Sequence, residues 1–249
     1  MNRTWKTVLV TTIAVLPLLA CSQPETEAPP ADVAPAAMET GPDPTVVDAN
    51  HYKTEFENDR VRVLRITYGP GEESVMHYHP DDVAVFLTDH HVEFGMLDGS
   101  SEEVTMKAGE HVFAPAGPHL PKNVGEGPLG LVLVELKSAG PPAEAPATVD
   151  TGPDPTVVDA DHYKTEFEND QVRVLRITYG SGEESIMHYH PDAVAVFLTD
   201  HHVEFGMPDG SSEAMHVEAG QHAFIPAGQH LPKNIGEEAW ELVLVELKS

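Results

Sequence analysis

Six histidines have the residue type and the spacing of metal ligands, and three of them fall in each half of the chain. His77 and His79 stand at positions i and i+2 of a segment typical of a strand, so both rings are expected to point to the same face. Two imidazoles on one face can hold one metal ion, and His119, which follows a glycine turn, can supply a third nitrogen from a neighbouring strand. The candidate metal ligands are therefore His77, His79, His119 and, in the second half, His188, His190 and His230.

The elements that must position these ligands occur twice in the chain. Residues 40–137 recur as residues 151–248 at an offset of 111, and 20 of the 98 aligned positions differ. A repeat of this kind indicates a tandem duplication of one structural unit. We therefore divide the sequence into an N-terminal segment at 1–20, a Pro/Ala-rich tether at 21–39 that begins with Cys21, a first domain at 40–137, a linker at 138–150 and a second domain at 151–249.

Each repeat is predicted to consist of short strands separated by turns. The segment 61–68 is rich in β-branched residues and ends at a Gly-Pro-Gly turn. The other strands predicted in the first repeat span 83–87, 91–96, 102–106, 112–114 and 131–136. Several short strands with glycine and proline punctuation favour an all-β sandwich or barrel. Since residues 131–134 are all apolar, we expect the last strand to be covered on both faces.

Around the histidines the chain resembles the cupin superfamily. The front half of the first cupin motif, G-x5-H-x-H, is matched from Gly71 to His79. The second motif, G-x5-P-x-G-x2-H-x3-N, is matched from Gly109 to Asn123 with one residue missing before the histidine. The resemblance covers essentially all of both repeats. It implies a bicupin, that is, two tandem double-stranded β-helix (jelly-roll) barrels that each hold a metal on three histidines and often one glutamate.

The glutamate ligand that this resemblance implies is absent from both repeats. Val83 and Ala84 stand at its position in the first repeat, and the second repeat has the same residue types there. Three interpretations stay open: a three-histidine site with water in the remaining positions, a site completed by a carboxylate from elsewhere, and a degenerate cupin whose histidines bind another ligand or fill the barrel. The candidates for that carboxylate are Asp81 and Asp192, or Glu93 and Glu204. A three-histidine site suits a divalent transition metal, with Fe, Mn, Ni, Cu and Zn as candidates.

The remaining histidines and the acidic clusters have simpler interpretations. His90 and His91, with His201 and His202 in the second repeat, begin a hairpin strand and are expected to be exposed. The clusters EE, DD and EFEND are interpreted as solvated faces of an acidic protein.

The N-terminus is typical of an exported lipoprotein. Arg3 and Lys6 precede an uncharged apolar run, residues 8–20, that is too short to span a bilayer comfortably. The run ends in Leu-Leu-Ala-Cys21, which resembles the lipobox of bacterial lipoproteins and implies cleavage before Cys21 and lipid attachment to it. Ser22 follows the cysteine, and in this position it resembles the lipoproteins that are sorted to the outer membrane. The expected location is the cell envelope, anchored to the outer membrane and facing the periplasm.

Composition excludes several classes of function. The chain of 249 residues carries 41 acidic and 14 basic side chains, a net charge of −27, which disfavours nucleic-acid binding. A single cysteine excludes a disulfide framework and a multi-cysteine zinc site. The sequence has no nucleophile elbow and no phosphate-binding glycine loop, and a lipidated Cys21 cannot act as a nucleophile. Any chemistry must therefore come from the metal.

Two functions remain as hypotheses. The first is a metal-dependent dioxygenase or related oxidoreductase that acts on a small organic substrate, although no catalytic residue can be named. The second is a non-catalytic module that binds a metal or a small ligand. The expected partners are a small-molecule ligand or substrate and the membrane, through the lipid on Cys21. The two repeats are expected to pair with each other within the chain or with another chain.

Overall fold

The computed structural model describes residues 40–137 and 152–248. The predicted signal peptide, Cys21, the tether and the linker at 138–150 lie outside the described residues, and the domain limits given above stay predictions. None of the helices in the described ranges has the length and apolarity needed to cross a bilayer.

Both repeats contain one short helix followed by nine strands. The elements of the first repeat are α1 (Pro44–Val47), β1 (Tyr52–Glu57), β2 (Val61–Tyr68), β3 (His77–His79), β4 (Asp82–Phe86), β5 (His90–Gly95), β6 (Ser101–Met106), β7 (His111–Ala114), β8 (Gly117–Asn123) and β9 (Leu129–Leu136). Those of the second repeat are α2 (Pro155–Val158), β10 (Tyr163–Glu168), β11 (Val172–Tyr179), β12 (His188–His190), β13 (Ala193–Phe197), β14 (His201–Gly206), β15 (Ser212–Val217), β16 (His222–Ile225), β17 (Gly228–Asn234) and β18 (Trp240–Leu247).

The strands of each repeat form two antiparallel sheets that face each other. In the first repeat the five-stranded sheet has the order β1-β2-β9-β4-β7 and the four-stranded sheet the order β3-β8-β5-β6. The second repeat has the equivalent orders β10-β11-β18-β13-β16 and β12-β17-β14-β15. Alternate residues of the five-stranded sheet, such as Leu64, Ile66 and Phe86, pack with Val92 and Phe94 of the other sheet. The all-β, two-barrel architecture predicted from the sequence is confirmed.

The predicted strands lie close to the observed ones, and β1 and the short helix were not predicted. Five of the predicted segments begin one or two residues later than the strands they match, and the segment at 61–68 coincides with β2. The strand expected at His77 and His79 is β3, which has only three residues, and the neighbouring strand expected to carry His119 is β8; the sequence analysis gave no bounds for either. α1 is a single turn whose first N–H groups are capped by Asp43, which accepts from Thr45 N at 2.8 Å. The spacing of apolar residues carries no signal for elements this short.

The second face of each five-stranded sheet is lined by valines, as the apolar strand at 131–136 led us to expect. Valines of β2, β4 and β9 belong to one hydrophobic cluster with the valines of β11, β13 and β18. At the margins of this cluster Phe56 stacks on Phe224 with ring centroids 5.2 Å apart, and Phe113 stacks on Phe167 at 5.4 Å. The valine faces of the two repeats thus exclude water from each other.

Polar contacts between the repeats are exchanged in matched pairs around the valine cluster. Arg65 donates to the carbonyl oxygen of Gly220 at 2.6 Å, and its counterpart Arg176 donates to that of Gly109 at 2.6 Å. His111 lies 3.2 Å from Glu166, and the equivalent pair, His222 and Glu55, lies at 3.1 Å. Each of these contacts thus occurs twice, with the roles of the two repeats interchanged.

Candidate metal centre

The first histidine triad lies on two neighbouring strands of the four-stranded sheet. His77 and His79 stand on β3, and the antiparallel register places His119 of β8 directly opposite His77. Because side chains alternate along a strand, all three rings share one face of the sheet. The Nε2 atoms of His77 and His79 lie 3.0 Å apart, and those of His77 and His119 lie 3.1 Å apart. The three predicted ligands therefore converge inside the first barrel.

The second triad has the same construction. His188 and His190 stand on β12, and His230 of β17 is paired with His188. The Nε2 atoms of His188 and His190 lie 3.1 Å apart. Within residues 40–137 and 152–248, these two triads are the groups of three or more potential ligands that could hold a metal ion.

Hydrogen bonds at the outer ring nitrogens direct the lone pairs of the triad inward. The carbonyl oxygen of Val75 lies 2.7 Å from Nδ1 of His77, and the carboxylate of Glu135 lies 2.7 Å from Nδ1 of His79. Both partners are acceptors, so each Nδ1 carries the proton and each Nε2 carries a lone pair. Two lone pairs that face each other at 3.0 Å repel unless a cation lies between them. The donor set thus fits a metal ion, and a backbone carbonyl and a carboxylate are the usual partners of metal-binding histidines.

Burial favours the uncharged form of four of the triad imidazoles. It lowers the pKa of His77 to about 4 and that of His188 to about 4. It also lowers the pKa of His230 to about 3 and that of His119 well below its usual range, and in both cases the neighbouring histidines contribute. Metal binding requires neutral imidazole, so at neutral pH these rings need no deprotonation before they bind an ion.

A buried glutamate on β9 supports the triad, and we did not predict it from the sequence. Glu135 is 1% exposed and accepts hydrogen bonds from His79 and from Nε and Nη2 of Arg62. Arg62 also donates to Asp43 at 2.5 Å. Burial alone would raise the pKa of Glu135, but the hydrogen bonds from His79 and Arg62 and the positive charge of Arg62 outweigh it and lower the pKa. The carboxylate therefore stays ionised and fixes the orientation of His79.

The second repeat contains the same support. Glu246 lies 2.6 Å from Nδ1 of His190 and accepts from Arg173 at 2.5 Å. The sequence carries a signal for this glutamate, because an acidic residue interrupts the apolar run 131–136 and its copy 242–247. The register places an arginine directly opposite it, Arg62 opposite Glu135 and Arg173 opposite Glu246.

None of the four carboxylates proposed as a fourth ligand belongs to either group of potential metal ligands. Asp81 accepts from the backbone N–H of Ala116 at 2.7 Å, and Asp192 accepts from that of Ala227 at 2.8 Å. Their second oxygens accept from side chains of the other repeat, Gln171 at 2.8 Å and Arg60 at 3.1 Å respectively. Glu93 accepts from Ser101 at 3.3 Å, and Glu204 is half-buried on the equivalent strand.

Each triad opens into a cavity in the barrel. The first cavity has a volume of about 570 Å³ and the second a volume of about 350 Å³. Residues lining the first include His79, His119, Tyr52, Phe86, Phe94 and Leu131. Its wall is mainly apolar, which is typical of a site for a small organic molecule.

Two sequence interpretations are corrected in the first cavity. His90 was expected to be exposed, but it is 5% exposed, and its copy His201 is 1% exposed. His90 stands two positions before Val92, and His201 stands two positions before Val203, and both valines face the interior. Because side chains alternate along a strand, both histidines point inward as well. Asp82, part of the DD cluster that was interpreted as solvated, is 4% exposed and lines the cavity. His91 is half-buried and pairs with Glu103 at 2.9 Å on the outer face.

Two facing antiparallel sheets per repeat, with three histidines directed inward in each, define a bicupin fold. No protein-family model matches the chain, and no curated protein matches it. Among solved structures, AerE from Microcystis aeruginosa is similar over 80% of this chain and 98% of its own, with a TM-score of 0.55 and 15% identity. A cupin 2 conserved barrel domain protein from Leptotrichia buccalis is similar over 79% of this chain and 88% of its own, with a TM-score of 0.51 and 15% identity.

A third solved structure is an enzyme. Oxalate decarboxylase from Bacillus subtilis, whose Mn(II) centres are described, is similar over 76% of this chain and 69% of its own, with a TM-score of 0.51 and 15% identity. At this identity the three likenesses establish the fold, and the chemistry has to be argued from the residues of this chain.

Proposed function

We propose that each repeat binds one divalent transition-metal ion, through His77, His79 and His119 in the first and His188, His190 and His230 in the second. The observation that carries the proposal is the convergence of the Nε2 atoms of His77 and His79, 3.0 Å apart, while both Nδ1 atoms are bound to acceptors. Imidazole ligands suit Fe, Mn, Ni, Cu and Zn. The Mn(II) centres of oxalate decarboxylase make Mn one of the ions to test.

Metal analysis of single-repeat variants tests this proposal. Purified protein is expected to contain about two ions per chain, one for each histidine triad. The double variant His77→Ala/His79→Ala removes two of the three ligands of one site, so the content is expected to fall to about one ion per chain. The measurement is elemental analysis of protein purified without added metal.

Two further variants serve as controls. His188→Ala/His190→Ala is expected to give the same content as the first double variant, because the sites are equivalent in their ligands. His91→Ala removes an imidazole that pairs with Glu103 outside the triads and is expected to keep both ions. Protein that holds no ion at either site, or an unchanged content in the double variants, contradicts the proposal.

A second candidate function is catalysis, as a metal-dependent dioxygenase or related oxidoreductase on a small organic substrate. The adjoining cavity of about 570 Å³ favours it, because three protein ligands leave coordination positions open toward that space. A bound ion would supply Lewis-acid or redox chemistry there. The chain's own residues enclose the site, since the Phe94 ring lies 5.2 Å from that of His119 and the Tyr52 ring lies 4.8 Å from that of His77.

An assay of the metal-loaded protein and of the variant that lacks four triad histidines distinguishes the two functions. Oxygen uptake with phenolic or diketone substrates, lost when His77, His79, His188 and His190 are all replaced, supports an enzyme. Two bound ions without oxygen uptake support the non-catalytic module that binds a metal or small ligand.

The two repeats are proposed to pair with each other within one chain. The shared valine cluster and the stacked pairs Phe56–Phe224 and Phe113–Phe167 support this arrangement. If a protease site is inserted in the linker at 138–150 and cut, the halves are expected to co-elute from a size-exclusion column. Phe224→Asp, which places a charge against Phe56, is expected to weaken that association. Halves of the cut wild-type chain that elute separately contradict the proposal.

The protein is further proposed to be a lipid-anchored component of the cell envelope, at the outer membrane and facing the periplasm. The apolar run at 8–20 and Cys21 within Leu-Leu-Ala-Cys support this location. Its acidic surface, with a net charge of −27, makes nucleic acid an unfavourable partner. The location is tested by the mass of the N-terminal peptide from membrane-extracted protein, which carries the lipid on Cys21 if the proposal is right.

A further inference from the structure

The first cavity contains a buried carboxyl group without a protein partner. Asp82 is 4% exposed and lines the cavity together with His79 and His119. Across residues 40–137 and 152–248, no hydrogen bond or ion pair reaches its side chain. Burial raises its pKa well above the usual range, and the charges of Glu135 and Asp81 raise it further. The group is therefore a neutral carboxylic acid, which can donate a hydrogen bond.

A second unpartnered polar atom lines the same cavity. His90 is 5% exposed, and the carbonyl oxygen of Thr88 lies 2.8 Å from its Nδ1, so Nδ1 carries the proton. Its Nε2 atom is buried and has no hydrogen-bond partner among the described residues. This atom carries a lone pair and can accept a hydrogen bond.

The second cavity keeps the histidine and lacks the carboxyl. His201 has a buried, unpartnered Nε2 like that of His90. Ala193 occupies the position of Asp82, and larger side chains replace two small ones, Trp240 for Leu129 and Ile225 for Ala114. The ring of Trp240 stacks on that of His201 with centroids 4.4 Å apart. The volumes of about 570 and 350 Å³ reflect these replacements.

We propose that the first cavity binds a compact, mainly apolar molecule that carries a hydrogen-bond acceptor for Asp82 and a donor for His90. The second cavity has no such carboxyl and offers instead the indole N–H of Trp240, which is buried and unpartnered within the described residues, and it binds a smaller molecule. Buried polar groups in folded proteins nearly always have a partner, because an unpaired one destabilises the fold. A ligand with a carbonyl-type oxygen and a hydroxyl or N–H group supplies both missing partners. The two repeats thus differ in specificity although their histidine triads are the same.

Fluorinated probes of matched size test the two recognition groups separately. They are 4-fluoroacetophenone, which offers an acceptor, 4-fluorophenol, which offers a donor, and 4-fluorotoluene, which offers neither, and their dissociation constants are measured by fluorine NMR titration of the full chain. We expect wild-type protein to bind the ketone and the phenol each about tenfold more tightly than 4-fluorotoluene. Asp82→Ala is expected to abolish the preference of the first site for the ketone without changing its preference for the phenol, and His90→Phe is expected to weaken its preference for the phenol.

Two more variants serve as matched controls. Asp82→Asn keeps a donor in the cavity and is expected to retain most of the preference for the ketone. Ala193→Asp places the carboxyl in the second cavity and is expected to tighten ketone binding there. Equal binding of the three probes by the wild type, no saturable binding of any of them, or a ketone preference of the first site that survives Asp82→Ala overturns the proposal.

This inference rests on the proposed function in taking the cavity for a small-molecule site, and the metal content of the same samples separates the two. Probe discrimination in protein without metal would contradict the proposed metal site and support this inference. About two ions per chain, one for each triad, with no probe discrimination would do the reverse.

Discussion

Glu135→Gln is expected to weaken metal binding at the first site by about 10- to 100-fold, the usual effect of losing a partner that orients a metal-binding histidine. The carboxylate accepts a hydrogen bond from the Nδ1–H group of His79 at 2.7 Å, and Arg62 holds the carboxylate in place. It therefore fixes both the tautomer and the direction of the His79 ring. Glutamine keeps the size of the side chain but loses the negative charge. Its amide can also present a donor to Nδ1, which favours the tautomer with the proton on Nε2, where the metal must bind.

The duplicated chain supplies the control for this experiment. A chelator competition titration of Glu135→Gln is expected to show one weakened site and one site of wild-type affinity, because Glu246 still supports His190. Glu246→Gln is expected to show the reverse. Unfolding by urea is expected to require less denaturant in both variants, since Arg62 or Arg173 loses its buried counter-ion. Two sites of unchanged affinity in either variant would show that the carboxylates do not orient the ligands.

Asp82→Ala is expected to stabilise the protein, and by an amount that increases with pH. Burial raises the pKa of Asp82 in the folded protein above its unfolded value of about 4. Below the unfolded pKa the carboxyl is protonated in both states and its ionisation does not reduce stability. As the pH rises from the unfolded toward the folded pKa, the unfolding free energy of the wild type falls. Between these values folding must take up a proton, which costs about 1.4 kcal/mol for each pH unit. Alanine removes that requirement. The gain in unfolding free energy over wild type is therefore expected to narrow by about this amount per unit as the pH is lowered.

Urea unfolding at several pH values between 5 and 7, in the presence of a chelator, measures this difference. Glu126→Ala removes one exposed carboxylate and is expected to have little effect at any pH. Ala193→Asp, which introduces a buried carboxyl at the equivalent position, is expected to destabilise the protein increasingly as pH rises. An Asp82→Ala variant that is less stable than wild type at every pH would show that the carboxyl has a structural role.

The architecture and the two triads could be predicted because they depend on local patterns. The i, i+2 spacing of His77 and His79 fixes their common face, and the glycine and proline punctuation identifies short strands. The position of His119 opposite His77 depends on the pairing of β3 with β8, which the glycine turn before His119 and the resemblance to the cupin motifs indicate without giving the register.

The rest of the site depends on contacts between distant strands. Glu135 and Arg62 meet because β2 and β9 are neighbours in the sheet. The sequence around either residue does not indicate that these two strands pair. Asp82 adjoins Asp81, and a pair of acids is usually solvated. Here Asp81 accepts a hydrogen bond from the backbone N–H of Ala116, whereas Asp82 lines the cavity. His90 could have been placed correctly, because the alternation that directs Val92 inward applies equally to a residue two positions earlier.

The matched contacts of Arg65 with Gly220 and of Arg176 with Gly109 have a consequence for how this protein can vary. In a symmetric assembly of two separate copies, one gene encodes both halves, so every change inside one barrel is made in the other as well. In this chain each barrel has its own codons, and the joining surface can be kept while the interiors diverge. The first barrel has Asp82 where the second has Ala193, and the second barrel has Trp240 where the first has Leu129. The proposed pairing of the repeats within one chain thus combines a symmetric joining surface with two interiors that can differ, at a fixed ratio of one to one.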